Sequence, residues 1–250
     1  MHVLKIGGNE LSDPSFLSGL AQVVAAANEP IVIVHGGGRA IADLQAKLGL
    51  KPVKVDGLRV TDHESIIVAE MALSAQANKL IVKALLAAGV DAIGLSGVDG
   101  GLLRCEKKHH QTADLGFVGH IVQVRANVIK TLMESNLTIV LSPISLGIDG
   151  HTYNVNADEA ASAVALALNA DLLSFVSNVP GVLQDNALIS NLTPAQTDEL
   201  IQSGIINGGM VPKVRAALQA IEQGVPKARI LNLAGLQTSG GTLFTNTGVA

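Results

Sequence analysis

Two lysines and one aspartate are placed where they could handle a phosphoryl group. Lys5 interrupts the apolar run "HVLKIG" just before Gly7 and Gly8, and Lys213 falls early in the helical pattern "VPKVRAALQAIEQG". An ammonium group in an apolar strand or near the positive end of a helix is unfavourable, and a bound anion would relieve both situations. Asp158 could orient both lysines, so the three residues predict clamps on a polyphosphate. The alternative for each lysine is a surface side chain that reaches water.

Three consecutive glycines, Gly36 to Gly38, follow the apolar run "VIVH" and precede a helical pattern. Backbone N–H groups at such a helix start bind anions, and glycine lets a ligand approach the main chain. The pattern is neither GxxxxGK[ST] nor GxGxxG. A tight turn between strand and helix is the alternative. His35 is interpreted as a packed or backbone-bonded residue rather than a catalyst.

Two further positions could bind a carboxylate or begin a helix. Arg59 lies two residues after a glycine in "GLRVTD", and arginine binds carboxylates with two hydrogen bonds, although a surface arginine is the alternative. Asn154 and Asn156 lie in "YNVNADEA". We expect Asn156 to cap the helix that follows, with Glu159 reaching back.

Apolar periodicity predicts alternating strands and helices, and so a mostly parallel sheet with helices on both faces. We expect a helix that opens at Asp13 and Pro14, and a long helix that Thr61 and Glu64 cap with capping-box spacing. That long helix runs to Gly89. The charged stretch 102–124 has the alternation of exposed hairpins, Pro212 suits the first position of a helix, and "ARILNLAG" is expected to be the closing strand.

Composition bounds the class of protein. The chain has 250 residues, 48% of them apolar but only 2% aromatic, and a formal net charge of -4. This balance argues against nucleic acid or an anionic membrane as a partner. One cysteine, Cys105, fits a reducing cytosol, and we expect a cytoplasmic protein. No signal peptide and no uninterrupted segment of membrane-spanning length is expected, and no metal-ligand spacing stands out.

Taken together, the motifs resemble those of a known family. "KIGG", "VIVHGGG", "GLRVTD", "ANK", "AIGLSGVDG", "YNVNAD", "NVPGVL" and "GGMVPKVRAAL" follow the order and spacing of the amino acid kinase superfamily over essentially the whole chain. The resemblance implies an α/β fold, a three-layer αβα sandwich around a mainly parallel open sheet of about eight strands. It also implies an N-terminal lobe for the amino acid, residues 1–169, and a C-terminal lobe for ATP, residues 170–250.

Within that superfamily the chain most resembles the enzymes that phosphorylate the side-chain carboxylate of N-acetyl-L-glutamate in arginine biosynthesis. The resemblance implies that Lys5 and Lys213 stabilise the transferred phosphoryl group, that Gly8 donates an N–H to it, and that Asp158 organises the lysines. It further implies an acyl amino acid site and a nucleotide site. The first comprises Gly37, Gly38, Arg59 and Asn154; the second comprises Asn178, Val179, Pro180, Gly181, Val182, Leu183, Ile205, Ile206, Asn207 and Gly209.

Other implications concern cofactors and partners. Magnesium is expected to arrive on ATP, because no carboxylate cluster offers a dedicated site. The family's N-terminal helix for hexamer formation is missing, so a homodimer insensitive to arginine is expected. Asn178 stands where the family commonly has Asp, and Val98 where it often has Lys. Both changes also resemble kinases of carrier-linked aminoadipate or glutamate, which remain an alternative, as does a ligand sensor without catalytic activity.

Overall fold

The computed structural model describes residues 1–55 and 57–246, so residues 247–250 of the predicted C-terminal lobe lie outside the described residues. Its strands, in chain order, are β1 (His2–Ile6), β2 (Ile31–His35), β3 (Val53–Val55), β4 (Leu58–Val60), β5 (Ala92–Ser96), β6 (Leu103–Lys107), β7 (Val118–Val124), β8 (Thr138–Ser142), β9 (Ile144–Gly147), β10 (Thr152–Val155), β11 (Leu172–Val176), β12 (Leu183–Gln184), β13 (Ala187–Leu188), β14 (Asn191–Leu192), β15 (Ala228–Leu231) and β16 (Thr242–Phe244).

The α-helices alternate with these strands. They are α1 (Pro14–Ala25), α2 (Gly38–Lys47), α3 (His63–Glu70), α4 (Asn78–Ala87), α5 (Ala126–Glu134), α6 (Ala157–Leu168), α7 (Pro194–Gln202), α8 (Met210–Glu222) and α9 (Leu233–Thr238). A π-helical segment, Met71–Ala77, joins α3 to α4. Short 3-10 turns lie at Glu10–Ser12 and Asp99–Gly101.

The central sheet has eight strands in the order β14-β16-β15-β11-β1-β2-β8-β5. From β15 to β5 all neighbours are parallel, and β16 pairs antiparallel to β15. Strand β1 lies in the middle, with β2 on one side and β11 on the other. The predicted mainly parallel sheet is confirmed, and its order reverses between β1 and β11, where α/β proteins form their ligand crevices.

Alternation along the strands sends side chains into two core layers. Val3 belongs to a cluster with residues of α5, α6 and α8, whereas Leu4 and Ile6 belong to a cluster with residues of α1 and α4. Helix α9 contacts α1 on this second face. The predicted three-layer αβα sandwich is therefore confirmed.

Local helix starts differ from expectation in two places. Asp62, rather than Thr61, caps α3, since its Oδ1 accepts a hydrogen bond from Ser65 N at 2.8 Å. The N–H of Thr61 donates instead to the Leu115 carbonyl at 2.9 Å, which keeps Thr61 extended. In α6, Asn156 caps as expected, but the Glu159 carboxylate accepts from Ile121 N at 3.0 Å rather than reaching back.

Three other expectations are corrected. The stretch 102–124 contains β6 and β7, which join β9 and β10 in a small closed sheet, so Leu103 and Cys105 are buried rather than exposed. Strand β15 does not close the fold, because α9 and β16 follow it. Helix α8 begins at Met210, which makes Pro212 its third residue.

The helical stretch from His63 to Ala87 is long and apolar, although polar residues such as Glu70, Asn78 and Lys79 interrupt it. It spans 25 residues with mean hydropathy 1.3, long and apolar enough by length and composition to cross a membrane. Half of its most apolar window, 50%, is buried inside the protein. Ala72, Leu73 and Ile81 are among its buried residues, so much of its apolar character serves the core.

Two adjacent leucines of α4 test this packing. We expect Leu85→Ala to lower the free energy of unfolding by about 2–5 kcal/mol, because the fully buried side chain would leave a cavity. Leu86, 51% exposed, is the matched control, and its replacement by alanine should change that free energy by no more than about 0.5 kcal/mol. Urea unfolding measures both; equal losses would contradict the burial of α4.

Candidate active site

Two glycine turns meet at the carboxyl ends of β1 and β2. The N–H of Gly36 donates to the Ile6 carbonyl at 2.8 Å and ties one turn to the other. A Cβ on Gly8 would lie 2.6 Å from Gly37 Cα and 2.7 Å from Gly37 N, so only glycine allows this approach. Across residues 1–55 and 57–246, no hydrogen-bond acceptor faces the N–H of Gly8 or Gly37. The two donors are therefore available to an anion.

Helix α2 adds to this positive region. Gly37 precedes the helix without a side chain to cap it, so the first N–H groups of α2 have no side-chain acceptor there. Such groups carry the positive end of the helix dipole and bind anions. The glycine triplet thus forms a cradle of main-chain donors, a geometry suited to an anion.

Lys5 and Asp158 form an ion pair beside the cradle. Lys5 Nζ lies 2.9 Å from Asp158 Oδ1, with the side chains 17% and 36% exposed. Asp158 is in the first turn of α6, and Asn156 Oδ1 accepts its N–H at 2.8 Å. The cap on α6 therefore holds the carboxylate that faces the lysine.

Lys213 is not paired with Asp158 in this structure. Its ammonium donates to the carbonyl of Gly209 at 3.3 Å, one helical turn earlier on α8. Lys213 lies in the first turn of that helix, as expected, although the helix begins two residues before Pro212. The structure thus brings together two of the three predicted charged groups.

A cavity of 240 Å³ contains all four residues predicted to hold the acyl amino acid. Gly37, Gly38, Arg59 and Asn154 line it, together with apolar side chains that include Leu73. A wall that combines polar groups with aliphatic side chains suits a small anion with an apolar portion.

Arg59 is oriented by a residue that the sequence did not single out. Its Nη1 donates to Gln45 Oε1 at 2.7 Å and its Nη2 to the Gly38 carbonyl at 3.2 Å. Burial lowers the pKa of Arg59 from its ordinary value, and the guanidinium still remains charged. Gln45 is 1% exposed, four residues after buried Ile41 on α2. This helical spacing is the signal that could have identified it.

The stretch 178–183 begins two residues after the end of β11. Asn178 is exposed and lines a separate cavity of 380 Å³ with Asn9 and Asn232. Gly181 has φ 146, and a Cβ there would lie 2.6 Å from Thr242 Oγ1. The same hydroxyl accepts the N–H of Val182 at 2.8 Å, so this turn is fixed to β16.

The second predicted nucleotide stretch lies between α7 and α8. Ile206 is buried and belongs to the same core cluster as Val182, so the two stretches are anchored in one part of the core. These two side chains face the core, which leaves main-chain atoms for ligand contact. Asn207 and Gly209 are exposed, and the Asn207 amide donates to the Gly204 carbonyl at 2.8 Å.

Comparisons with known proteins identify the family. A model of the amino acid kinase family matches residues 1–232. The chain belongs to the amino acid kinase family.

Within this family, the chain is similar to several acetylglutamate kinases and to a solved structure. The chain is 50% identical over 243 residues to the acetylglutamate kinase of Roseiflexus sp. (strain RS-1), covering 97% of this chain and 93% of that one. It is 42% identical to the acetylglutamate kinase of Methanopyrus kandleri, covering 97% and 99%. Its fold matches the crystal structure of smu.665 from Streptococcus mutans UA159, with a TM-score of 0.82, 31% identity and 98% of each chain covered.

Replacing Gly8 tests the contact between the glycine turns. We expect Gly8→Ala to abolish most phosphoryl transfer, because its methyl group would separate the two N–H donors. Gly36→Ala is the comparison, since its nearest atom would be Gly8 N at 3.5 Å, an ordinary contact, and its loss should be much smaller. Steady-state kinetics and circular dichroism measure both. An equal loss in two folded variants would contradict the role of this contact.

Proposed function

We propose that this chain is an acetylglutamate kinase, which transfers the γ-phosphoryl group of ATP to the side-chain carboxylate of N-acetyl-L-glutamate. The product is N-acetyl-L-glutamyl 5-phosphate, a step of arginine biosynthesis. The observation that carries the proposal is the cavity that joins Arg59, Asn154 and two glycines beside the Lys5–Asp158 pair. Acetylglutamate kinases 50% and 42% identical to the chain support the same reaction.

The chemistry needs positioning more than proton transfer. The acceptor carboxylate has an ordinary pKa of about 4.3, so it is ionised at neutral pH and needs no general base. One of its oxygens forms a bond to the γ-phosphorus while the bond from that phosphorus to the bridging oxygen of ADP breaks, and ADP leaves. The protein must bring two anions together and offset the charge on the transferred group.

Lys5, Lys213 and Gly8 carry that electrostatic role in the proposal. Lys5 approaches from the end of β1 with its ammonium oriented by Asp158 at 2.9 Å. Gly8 offers an N–H donor at the same end of the strand. Lys213, on α8, approaches from the C-terminal segment and exchanges its bond to the Gly209 carbonyl for the phosphate. The negative charge of the Asp158 carboxylate offsets the repulsion between the two ammonium groups.

Recognition of the amino acid rests on the cavity side chains. Arg59 holds the α-carboxylate, since Gln45 and the Gly38 carbonyl leave its guanidinium facing the same cavity. Asn154 contacts the acylated amine from β10. Gly37 and Gly38 bind the carboxylate that receives the phosphoryl group. Residues 1–169 form the lobe for this substrate.

ATP binds to residues 170–250 in the proposal, with contacts from 178–183, from 205–207 and from Gly209. Their shared anchoring in one core cluster supports this grouping. Within the described residues, no group of three or more His, Cys, Asp or Glu side chains could hold a metal ion. In the proposal magnesium comes with the nucleotide, whose phosphate oxygens are its ligands.

The proposal includes a cytoplasmic homodimer with no nucleic-acid or membrane partner. Buried Cys105 is free, as fits a reducing compartment. Ile67, Met71 and Leu86 are 49%, 55% and 51% exposed on the outward side of the helical stretch 63–87. Large apolar side chains of this kind suit a contact between two copies of the chain.

An acceptor panel tests the function. Purified protein with Mg-ATP is expected to release ADP with N-acetyl-L-glutamate and far less with glutamate or free aminoadipate, because the cavity suits an acylated amine. Trapping with hydroxylamine identifies the acyl phosphate. Turnover only with a carrier-linked substrate would replace the proposal by the carrier-linked kinase, and ATP binding without any turnover would indicate a ligand sensor.

Two variants separate binding from chemistry. We expect Lys213→Ala to lower kcat about 10²–10³-fold with little change in the KM for N-acetylglutamate, because its charge acts on the transferred group. Arg59→Ala should mainly raise that KM, because it removes a contact present in both ground and transition states. An unchanged kcat in the first, or a change limited to the KM for ATP in the second, would contradict the assigned roles.

A further inference from the structure

A line of polar groups runs from exposed Lys79 through two buried side chains to the glycine triplet. Lys79 Nζ donates to Asn78 Oδ1 at 3.0 Å and to the Gly94 carbonyl at 2.7 Å. Asn78 Nδ2 lies 3.2 Å from His35 Nε2, and His35 Nδ1 lies 2.9 Å from the Gly36 carbonyl. Asn78 and His35 are both 0% exposed. The line thus connects the surface of α4 to the first glycine of the triplet.

Each group in this line determines the orientation of the next. An ammonium group only donates, so the Asn78 atom facing Lys79 must be its oxygen. The Asn78 amino group then faces inward, where it lies within hydrogen-bond distance of the Val140 and Leu95 carbonyls, at 3.0 and 3.3 Å. His35 Nε2 faces the same amino group and carries no proton in this arrangement, because two N–H donors would otherwise point at each other, and so the single proton of the neutral ring is on Nδ1. Nδ1–H then donates to the Gly36 carbonyl.

The last hydrogen bond bears on the active site through one peptide group. In a trans peptide the carbonyl and the following N–H point in opposite directions, and the described chain has no cis peptide. Holding the Gly36 carbonyl toward His35 therefore directs the Gly37 N–H away from it, toward the side where Gly8 approaches. The Gly37 nitrogen is the atom that a Cβ on Gly8 would approach to 2.7 Å.

We propose that Asn78 and His35 are positioning residues, which hold the Nδ1–H tautomer of His35 and thereby aim the Gly37 N–H at the acceptor carboxylate and the phosphoryl group it receives. This rests on the proposed function, in which that N–H binds the reacting group. Burial lowers the pKa of His35 to about 4, which agrees with a ring that stays neutral during turnover.

Two backbone features adjoin Asn78: a glycine inside β5 and a π-helical segment. Gly94 lies inside β5, and a Cβ there would lie 1.9 Å from Asn78 Oδ1. Asn78 is the first residue after the π-helical segment, and such wide turns often occur at functional sites. A glycine within a strand and a π-helical turn both cost stability unless something requires them. The Asn78 amide accounts for the glycine, because its oxygen occupies the place of a Cβ at position 94.

The test compares two replacements of His35 with a matched control. His35→Leu removes the donor to the Gly36 carbonyl, and His35→Asn keeps an N–H near the position of Nδ1. His2→Leu is the control, because His2 is also a buried histidine, with a hydrogen bond of 2.8 Å to Ser174, at the opposite end of the sheet. All three are measured for kcat, for both KM values and for thermal midpoint.

We expect His35→Leu to lower kcat about 10²–10³-fold, the usual loss when a donor to a developing charge is misplaced, with the KM for ATP unchanged. His35→Asn should retain kcat within about tenfold of the wild type, since one hydrogen bond is restored. His2→Leu should lower the thermal midpoint by a similar amount as His35→Leu but leave kcat unchanged. Equal kcat values for His35→Leu and His35→Asn, or a loss that follows the thermal midpoint in all three, would overturn the proposal.

A measurement on the unaltered protein covers the case in which variants do not fold. Nitrogen-15 NMR of the histidine rings is expected to show His35 as the neutral Nδ1–H tautomer near pH 7, and an Nε2–H tautomer would overturn the inference. This result does not depend on which substrate the enzyme uses. If the wild type failed to phosphorylate N-acetylglutamate, the proposed function would fail instead.

Discussion

The close approach of two backbone turns, at Gly8 and Gly37, is the constraint on which the site depends. At 2.6 Å from a would-be Cβ on Gly8 to Gly37 Cα, no side chain fits between them. Parallel pairing of β1 with β2 places both turns at one edge of the sheet, and the reversal of strand order beside β1 opens a crevice there. The N–H groups that become available belong to backbone that only glycine permits.

Each cationic side chain named for this site has a polar or charged protein partner. Lys5, in a strand otherwise buried, is paired with Asp158, whose own position follows from the Asn156 cap on α6. Arg59 donates a hydrogen bond to Gln45, which fixes its guanidinium. Lys213 rests on a carbonyl of its own helix. In the proposed function a ligand meets Lys5 and Arg59 already oriented by protein groups, whereas Lys213 must exchange its carbonyl for the phosphate.

Local sequence patterns predicted most elements correctly because apolar alternation and helical spacing reflect which face is buried. Errors arose where a partner distant in sequence decided the outcome. Thr61 lost its capping role to Asp62 because its backbone pairs with residues near 115, and Glu159 turned toward Ile121 instead of its own helix start. The charged stretch around β6 and β7 closed onto β9 and β10, which a hairpin pattern alone does not reveal.

The sequence by itself determined the parallel sheet, the two glycine turns and the chemical types at the site, since these depend on side chains near one another along the chain. Only the tertiary structure decided which groups meet. Lys5 pairs with Asp158, which lies more than half the chain away in sequence. Gln45 orients Arg59, and Asn78 contacts His35. Such contacts depend on the order of the strands and the packing of the helices. A buried polar side chain needs a hydrogen-bond partner, but the sequence does not show which distant residue that partner is.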